Sequence, residues 1–117
     1  MIKVIIAGSR TFSDYRLLAT VCDHMLKNHE EVEIVSGGAN GADKLGELYA
    51  EERGYEFRQF IPNWGRDGNA AGYMRNKLMA LYADAVIVFW DGQSKGSGHM
   101  IDLARGRGLK VKVCNYE

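Results

Sequence analysis

Three short stretches carry most of the residues able to do chemistry, and each follows an apolar run. They are Gly8-Ser9-Arg10, then Ser36-Gly37-Gly38-Ala39-Asn40-Gly41-Ala42-Asp43, then Asp91-Gly92-Gln93-Ser94-Lys95-Gly96-Ser97-Gly98. Glycine lets backbone amides approach an anion without interference from a Cβ, and a helix N-terminus directly after it adds roughly half a unit of positive charge. That combination is phosphate-binding architecture. The competing reading is that the glycines only make tight strand-to-helix turns, which suits one such loop better than three. Neither a P-loop ending in Lys-Ser/Thr nor a G-x-G-x-x-G register is present, which argues against a GTPase or an ordinary NAD dehydrogenase.

Side chains near these loops suit the same task. Arg10 and Arg75 are candidate anion clamps, since arginine forks match phosphate oxygens; surface ion pairs are the alternative. Asp43 follows a candidate helix cap, Asn40, by three residues, so its carboxylate either reaches back to backbone amides or binds a ribose hydroxyl. Ser94, Lys95, Ser97 and His99 add hydroxyl, ammonium and imidazole donors, with a helix cap by Ser97 and a solvated Lys95 as the plainer roles. Trp64 lies in a loop and offers a stacking face for a base, whereas Trp90 ends an apolar strand and reads as core. If a bond is cleaved, Asp43, Glu47 and Asp91 are the carboxylates able to stabilise an oxocarbenium-like sugar and activate water. His24 and His29 lie far from the loops, and no clustered ligands suggest a metal site.

The elements needed to position these groups follow from hydrophobic period. Strands are expected at Ile2 to Ala7, Glu33 to Ser36, Tyr55 to Ile61, Ala85 to Trp90, and Leu109 to Val113, the last as an edge. A helix capped by Ser13 or Asp14 runs to about Asn28 with Leu17, Leu18, Val21, Cys22 and Met25 on one face. A second helix, begun at Asn40 and stopped at Gly54, carries Ala42, Leu45 and Tyr49 inward. Pro62 to Gly72 reads as an irregular loop over the site. Ala71, Met74, Leu78 and Leu81 mark a third helix, and Gly98 to about Arg107 a fourth, with Ile101 and Ala104 inward. Strands alternating with helices imply an α/β Rossmann-like three-layer sandwich with a mostly parallel five-stranded sheet in the order 3-2-1-4-5. Ligands bind such sheets beyond the carboxyl ends of the strands where the order reverses, here between the first and fourth strands.

Bulk properties narrow the partners. The 117 residues fit one domain over the whole chain. Fifteen basic residues balance 15 acidic ones, so no global field draws nucleic acid or anionic membrane. Cys22 and Cys114 read as reduced packing thiols, and the first apolar run is a strand rather than a signal peptide or membrane span, so a cytoplasmic protein is expected. A small sheet with an exposed edge, and helices apolar beyond one face, lead to the expectation of a homo-oligomer, dimer or tetramer.

The segments GSRTFSD, SGGANGADKLGELYAEERG, NWGRDGNAAGYMRN and VIVFWDGQSKGSGHMIDLA together resemble the SLOG superfamily over nearly the full chain, specifically its YspA or cpYpsA-related group. The resemblance implies a Rossmann-like fold and a site for nucleotides, nucleotide sugars or NAD-derived signals. Carried residue by residue, it points to Gly8, Ser9, Arg10, Gly37, Gly38, Gly41, Asp43, Arg75, Asn76, Ser94, Gly96 and Ser97. The cytokinin-activating phosphoribohydrolases of the superfamily place an acid three residues after a threonine in the last loop; Met100 stands at that position here, with Asp102 out of register. The same elements also resemble the DNA-processing protein DprA, in which they belong to a single-stranded-DNA-binding core. The expectation is a module that binds a nucleoside phosphate, ADP-ribose or cyclic ADP-ribose type of ligand, as sensor or sequestering protein. The alternatives are a nucleotide N-glycosidase and a DprA-like single-strand binder. No cofactor is firmly implied; a divalent cation beside the ligand phosphates is compatible with the pattern, and no membrane partner is expected.

Overall fold

The structure, a computed structural model, describes residues 1–116. In chain order its elements are β1 (Ile2–Gly8), α1 (Tyr15–Leu26), β2 (Val32–Ser36), α2 (Ala42–Arg53), β3 (Glu56–Gln59), α3 (Trp64–Asp67), a 3-10 turn (Gly68–Ala70), α4 (Ala71–Tyr82), β4 (Ala85–Trp90), α5 (Lys95–Gly106) and β5 (Lys110–Asn115). One sheet runs β3-β2-β1-β4-β5 with all four pairings parallel, the α/β Rossmann-like order expected from the sequence.

The unbroken apolar runs of β1, β2 and β4 have a direct physical cause. Alternate residues of each strand enter opposite cores, so both faces must be apolar. Val4, Ile6, Ile34, Ile87 and Phe89 pack with Leu18, Cys22 and Leu26 of α1 and Tyr49 and Ala50 of α2. Ile5, Val35, Val86 and Val88 pack with Met79 of α4 and Met100, Ile101 and Ala104 of α5. Two helices therefore cover each face of the sheet. Asp14 caps α1 by accepting the Leu17 N–H at 3.0 Å, and Gly54 ends α2 in the left-handed region at φ 72°. Tyr49 and Arg53 of α2 converge on Asp23 of α1, the phenol donating at 2.7 Å and the guanidinium at 2.8 and 2.9 Å.

Several boundaries differ from the sequence reading. The third strand is limited to Glu56–Gln59, all exposed, because it is an edge with little packed against it. Pro62 to Gly72 is not irregular throughout: Asn63 accepts the Arg66 N–H at 3.0 Å and starts the single turn of α3, which the 3-10 turn joins to α4. The last helix begins at Lys95 rather than Gly98, with Ser94 as N-cap, and α2 is entered from Gly41 rather than Asn40.

α4 forms where the apolar spacing marks it, but that spacing and the buried face do not coincide. The stripe that marks it as a helix faces outward: Met74, Leu78 and Leu81 are 44%, 53% and 59% exposed, and only Ala71 of that set is buried. The inward face is Ala71, Asn76, Met79 and Ala80. A helix apolar on several sides has no single stripe to orient it; α4 packs chiefly against α5, with Met79 in the core beside the sheet.

Candidate functional site

β1 lies between β2 and β4, and the chain leaves β1 toward α1 on one face and leaves β4 toward α5 on the other. Divergence of these connections opens a crevice at the carboxyl ends of the strands. A cavity of about 370 Å³ occupies it, and a second of about 300 Å³ adjoins it toward Trp64. Ala7, Gly8, Ser9, Arg10, Asp43, Arg75, Asn76, Asp91, Ser94, Gly96 and Ser97 line the first. Arg10, Ala39 and Arg75 line both.

Close backbone packing builds the floor. A Cβ on Gly8 would collide with the Phe89 carbonyl oxygen and lie 2.8 Å from Ala42 Cβ. Gly41, at φ 81°, turns its Cα against the Ser9 and Arg10 carbonyls, where a side chain would be both strained and obstructed. For these two glycines the turn-making reading is sufficient. Buried Ser9 ties the first loop to the last, its Oγ accepting the Asp91 N–H at 3.1 Å while its own N–H donates to Phe89 O at 3.0 Å.

Two helices begin at this crevice without side-chain caps, although the first amide of α2, Ala42 N–H, donates to Ser9 O at 3.4 Å. Unlike α1, neither α2 nor α5 has a side-chain cap: Gly41 has no side chain, and Ser94 makes no capping bond. Ser97 Oγ instead donates to Ser94 Oγ at 3.3 Å, within the cavity lining. Opening-turn donors left unfilled by the protein are available to an external anion.

The charged groups divide into committed and available ones. Arg10 is exposed and makes no hydrogen bond or ion pair with another described residue. Arg75 Nη1 donates to Gly37 O at 2.6 Å and Nε to Asn76 Oδ1 at 3.0 Å. Burial pulls its pKa below the usual arginine value, with Asp43 opposing and Arg10 adding to the shift. Asp43 is buried, and its Oδ2 accepts the Ala39 N–H at 3.2 Å, so the carboxylate does reach back along the chain. Loss of water raises its pKa from 3.8 to about 6; the Ala39 amide, Arg75 and Arg10 hold it down only in part. Asp91 stays ionised, its pKa lowered by the Gln93 and Ser94 N–H groups that its Oδ1 accepts at 2.8 Å each.

The second cavity is lined by Gly37, Gly38, Asn40, Ile61, Pro62 and Trp64 as well as the shared Arg10, Ala39 and Arg75. Trp64, at the start of α3, is 53% exposed and leaves a ring face open there. Trp90 is used differently, donating from Nε1 to Ser94 O at 3.0 Å and bracing Gly98.

Some sequence candidates stand outside both cavities. Buried Ser36 donates to Glu47 Oε2 at 2.7 Å and accepts the Gly38 N–H at 3.1 Å, and Gln59 donates to the same Glu47 oxygen at 2.8 Å. Glu47 is thus engaged in shaping the second loop. Lys95 is exposed and Gly41 buttresses the turn; neither lines a cavity. The sequence reading did not single out Thr11, Met79 and Ile61 as lining residues; Met79 and Ile61 are apolar walls that carry no chemical signature. Met100 also lines the first cavity, so a thioether faces the site where the hydrolytic pattern has an acid. Among the described residues no three His, Cys, Asp or Glu side chains gather in a metal-binding group.

The sequence profile of the YspA, cpYpsA-related SLOG family matches residues 2–66. The Gene 61 protein of Mycobacterium phage D29 is 29% identical over 118 residues, covering 95% of this chain and 94% of that protein. DNA processing protein A from Streptococcus pneumoniae superposes with a TM-score of 0.80 at 21% identity, covering 97% of this chain and 50% of that one. DNA processing protein A from Helicobacter pylori, whose structure was described for its single-stranded DNA binding mode, gives 0.75 at 22% identity, covering 96% and 64%. This chain thus spans half to two-thirds of those two proteins, and the likeness to them is one of fold.

Proposed function

The chain belongs to the YspA, cpYpsA-related SLOG family, and from that premise we propose that its crevice binds a nucleotide-derived small molecule, as a sensor or a sequestering module. One observation carries the reading: two long helices with uncapped N-termini open into a cavity that Arg10 and Arg75 share with a compartment walled by Trp64. Phosphate is assigned to the loop amides and helix ends, clamped by the two arginines. The sugar lies near Asp43, and the base stacks against Trp64. Nucleoside phosphates, ADP-ribose and cyclic ADP-ribose isomers meet these requirements. Localisation in the cytoplasm fits such ligands. Among the described residues no helix is long and apolar enough to cross a membrane.

A second reading, hydrolysis of an N-glycosidic bond, is favoured by one feature: a buried cavity carboxyl whose pKa is raised to about 6 suits proton transfer near neutrality. Met100 in the wall weighs against it, and so does the engagement of Glu47 and Asp91 with their own loops. A third, single-stranded DNA binding, draws on the fold shared with the Helicobacter protein but has no net positive charge to support it.

The deciding experiment mixes the purified protein with a pool of nucleoside phosphates, NAD, ADP-ribose and cyclic ADP-ribose isomers and reads retained and altered species by mass spectrometry. Retention of one compound intact is the expected result. Release of a free base with a sugar phosphate shifts the conclusion to hydrolysis, and Asp43→Asn then keeps affinity while abolishing turnover. A pool that passes through unchanged refutes the small-molecule reading; a steep salt dependence with oligonucleotides then supports the DNA one. Self-association belongs to the same proposal, through the outward Met74, Leu78 and Leu81 stripe of α4.

A further inference from the structure

One chain of side-chain contacts links α4 to the opening turn of α5. Arg75 Nε donates to Asn76 Oδ1 at 3.0 Å; Asn76 Nδ2 donates to Gly96 O at 3.2 Å and lies 3.3 Å from His99 Nδ1. A guanidinium N–H only donates and a backbone carbonyl only accepts, so these two neighbours fix which end of the buried amide faces which. The amide nitrogen therefore also faces His99. The histidine Nδ1 must accept, carrying no proton, and the neutral ring holds its hydrogen on Nε2.

We infer that His99 is a positioning residue for the Arg75 clamp, its neutral ring orienting Asn76 and, through Asn76, the guanidinium. The inference rests on Arg75 being the anion clamp of the proposed site. Tyr73 of α4 meets the ring edge-on at 4.6 Å between centroids. Burial lowers the histidine pKa, Lys77 of α4 adds to this, and Asp102 of α5 opposes it. The ring is therefore neutral at pH 7.

Protonation sets an Nδ1–H against the amide hydrogens of Asn76. The amide relieves this by turning over, which brings Oδ1 to His99 but sets Nδ2 against the Arg75 Nε–H and leaves Gly96 O without its donor. Arg75 keeps its bond to Gly37 O and loses its second anchor. Gly96 lines the first cavity, so the first turn of α5 loosens in the same step. Acidification should weaken anion retention roughly fivefold, the fold-change that one net hydrogen bond carries. Asp43, with its pKa at about 6, acts in the opposite sense, because protonating it removes negative charge from the cavity. Variants must separate the two.

The test follows the Arg75 Nε–H, the Asn76 side-chain amide and the His99 ring of the 15N-labelled free protein by NMR from pH ~7.5 downward until the ring has titrated. In the wild type the three should move together with one midpoint. His99→Asn puts a non-titrating oxygen near the Nδ1 position, and there the Arg75 and Asn76 signals should stay still. Arg75 signals that ignore the His99 titration, or that keep the same midpoint in His99→Asn, overturn the inference. Adenosine monophosphate supplies the binding probe: affinity should fall in acid for the wild type relative to His99→Asn, and His99→Leu should be weak at neutral pH where His99→Asn is restored. Equal pH profiles for wild type and His99→Asn overturn the inference and leave the proposed site standing. Coupled NMR titrations without nucleotide binding support the relay and refute the reading of the site.

Discussion

Replacing Asp43 by asparagine isolates the cost of an ionised carboxyl in the crevice. Burial raises its pKa from 3.8 to about 6, so the folded protein holds a proton there that the unfolded chain has already released. Two pKa units correspond to about 3 kcal/mol. A raised carboxyl pKa contributes stability that is full below about pH 4 and is lost as pH rises to about 6. At pH 7 the wild type therefore carries the whole penalty.

Asparagine keeps the shape, and its amide oxygen still accepts the Ala39 N–H; the charge lost from that bond is already counted in the shift. The net gain at pH 7 is about 3 kcal/mol, or roughly 12 °C in Tm for a chain of this size. Below pH ~4 the gain should vanish. Thermal unfolding of both proteins across this range, followed by circular dichroism, reads the difference directly and cancels every other carboxylate. A difference independent of pH, or a variant less stable than wild type at pH 7, would refute the reasoning and mean that Arg75 and Arg10 compensate the charge in full.

Three further perturbations test separate parts of the structure. Gly37→Ala places a Cβ against Arg75 Nη1 and 2.8 Å from Asp43 Oδ2, so calorimetric titration with the retained compound should show at least a ~10-fold loss of affinity as the clamp is displaced. Asp23→Ala removes the acceptor that Tyr49 and Arg53 share; the unpartnered phenol should cost about 1 kcal/mol in urea unfolding, with ligand affinity unchanged because α1 and α2 meet there away from the crevice. Leu78→Asp puts a charge in the outward stripe of α4, and sedimentation should show a lighter species than the wild type with the fold intact by circular dichroism.

Much of the site was legible because the signals that produce it are local. The double-faced burial of β1, β2 and β4 forces continuous apolar runs, and a parallel sheet then requires helices between them. The glycine loops after those runs follow from the same geometry, which is why Gly8, Ser9, Arg10, Asp43, Asp91, Ser94 and Ser97 come together as expected. Loop-internal bonding was less legible. Glu47 and Asp91 have the right chemistry for a hydrolytic role, but their oxygens are engaged by Ser36, Gln59 and backbone amides that no spacing rule reveals.

The sequence by itself determined the alternation of elements, the strand order and the small-residue character of the crevice, because each depends on hydrophobic period and on neighbours within a few residues. Tertiary structure alone decided the orientation of α4, whose apolar residues on several sides permit either face to turn inward until α4 packs on α5 with Met79 in the core. It also decided the state of Asp43. A carboxyl at the second position of a helix is ordinary in sequence; removal from water by loops 30 and more residues away is what raises its pKa, and desolvation is a property of the assembled fold.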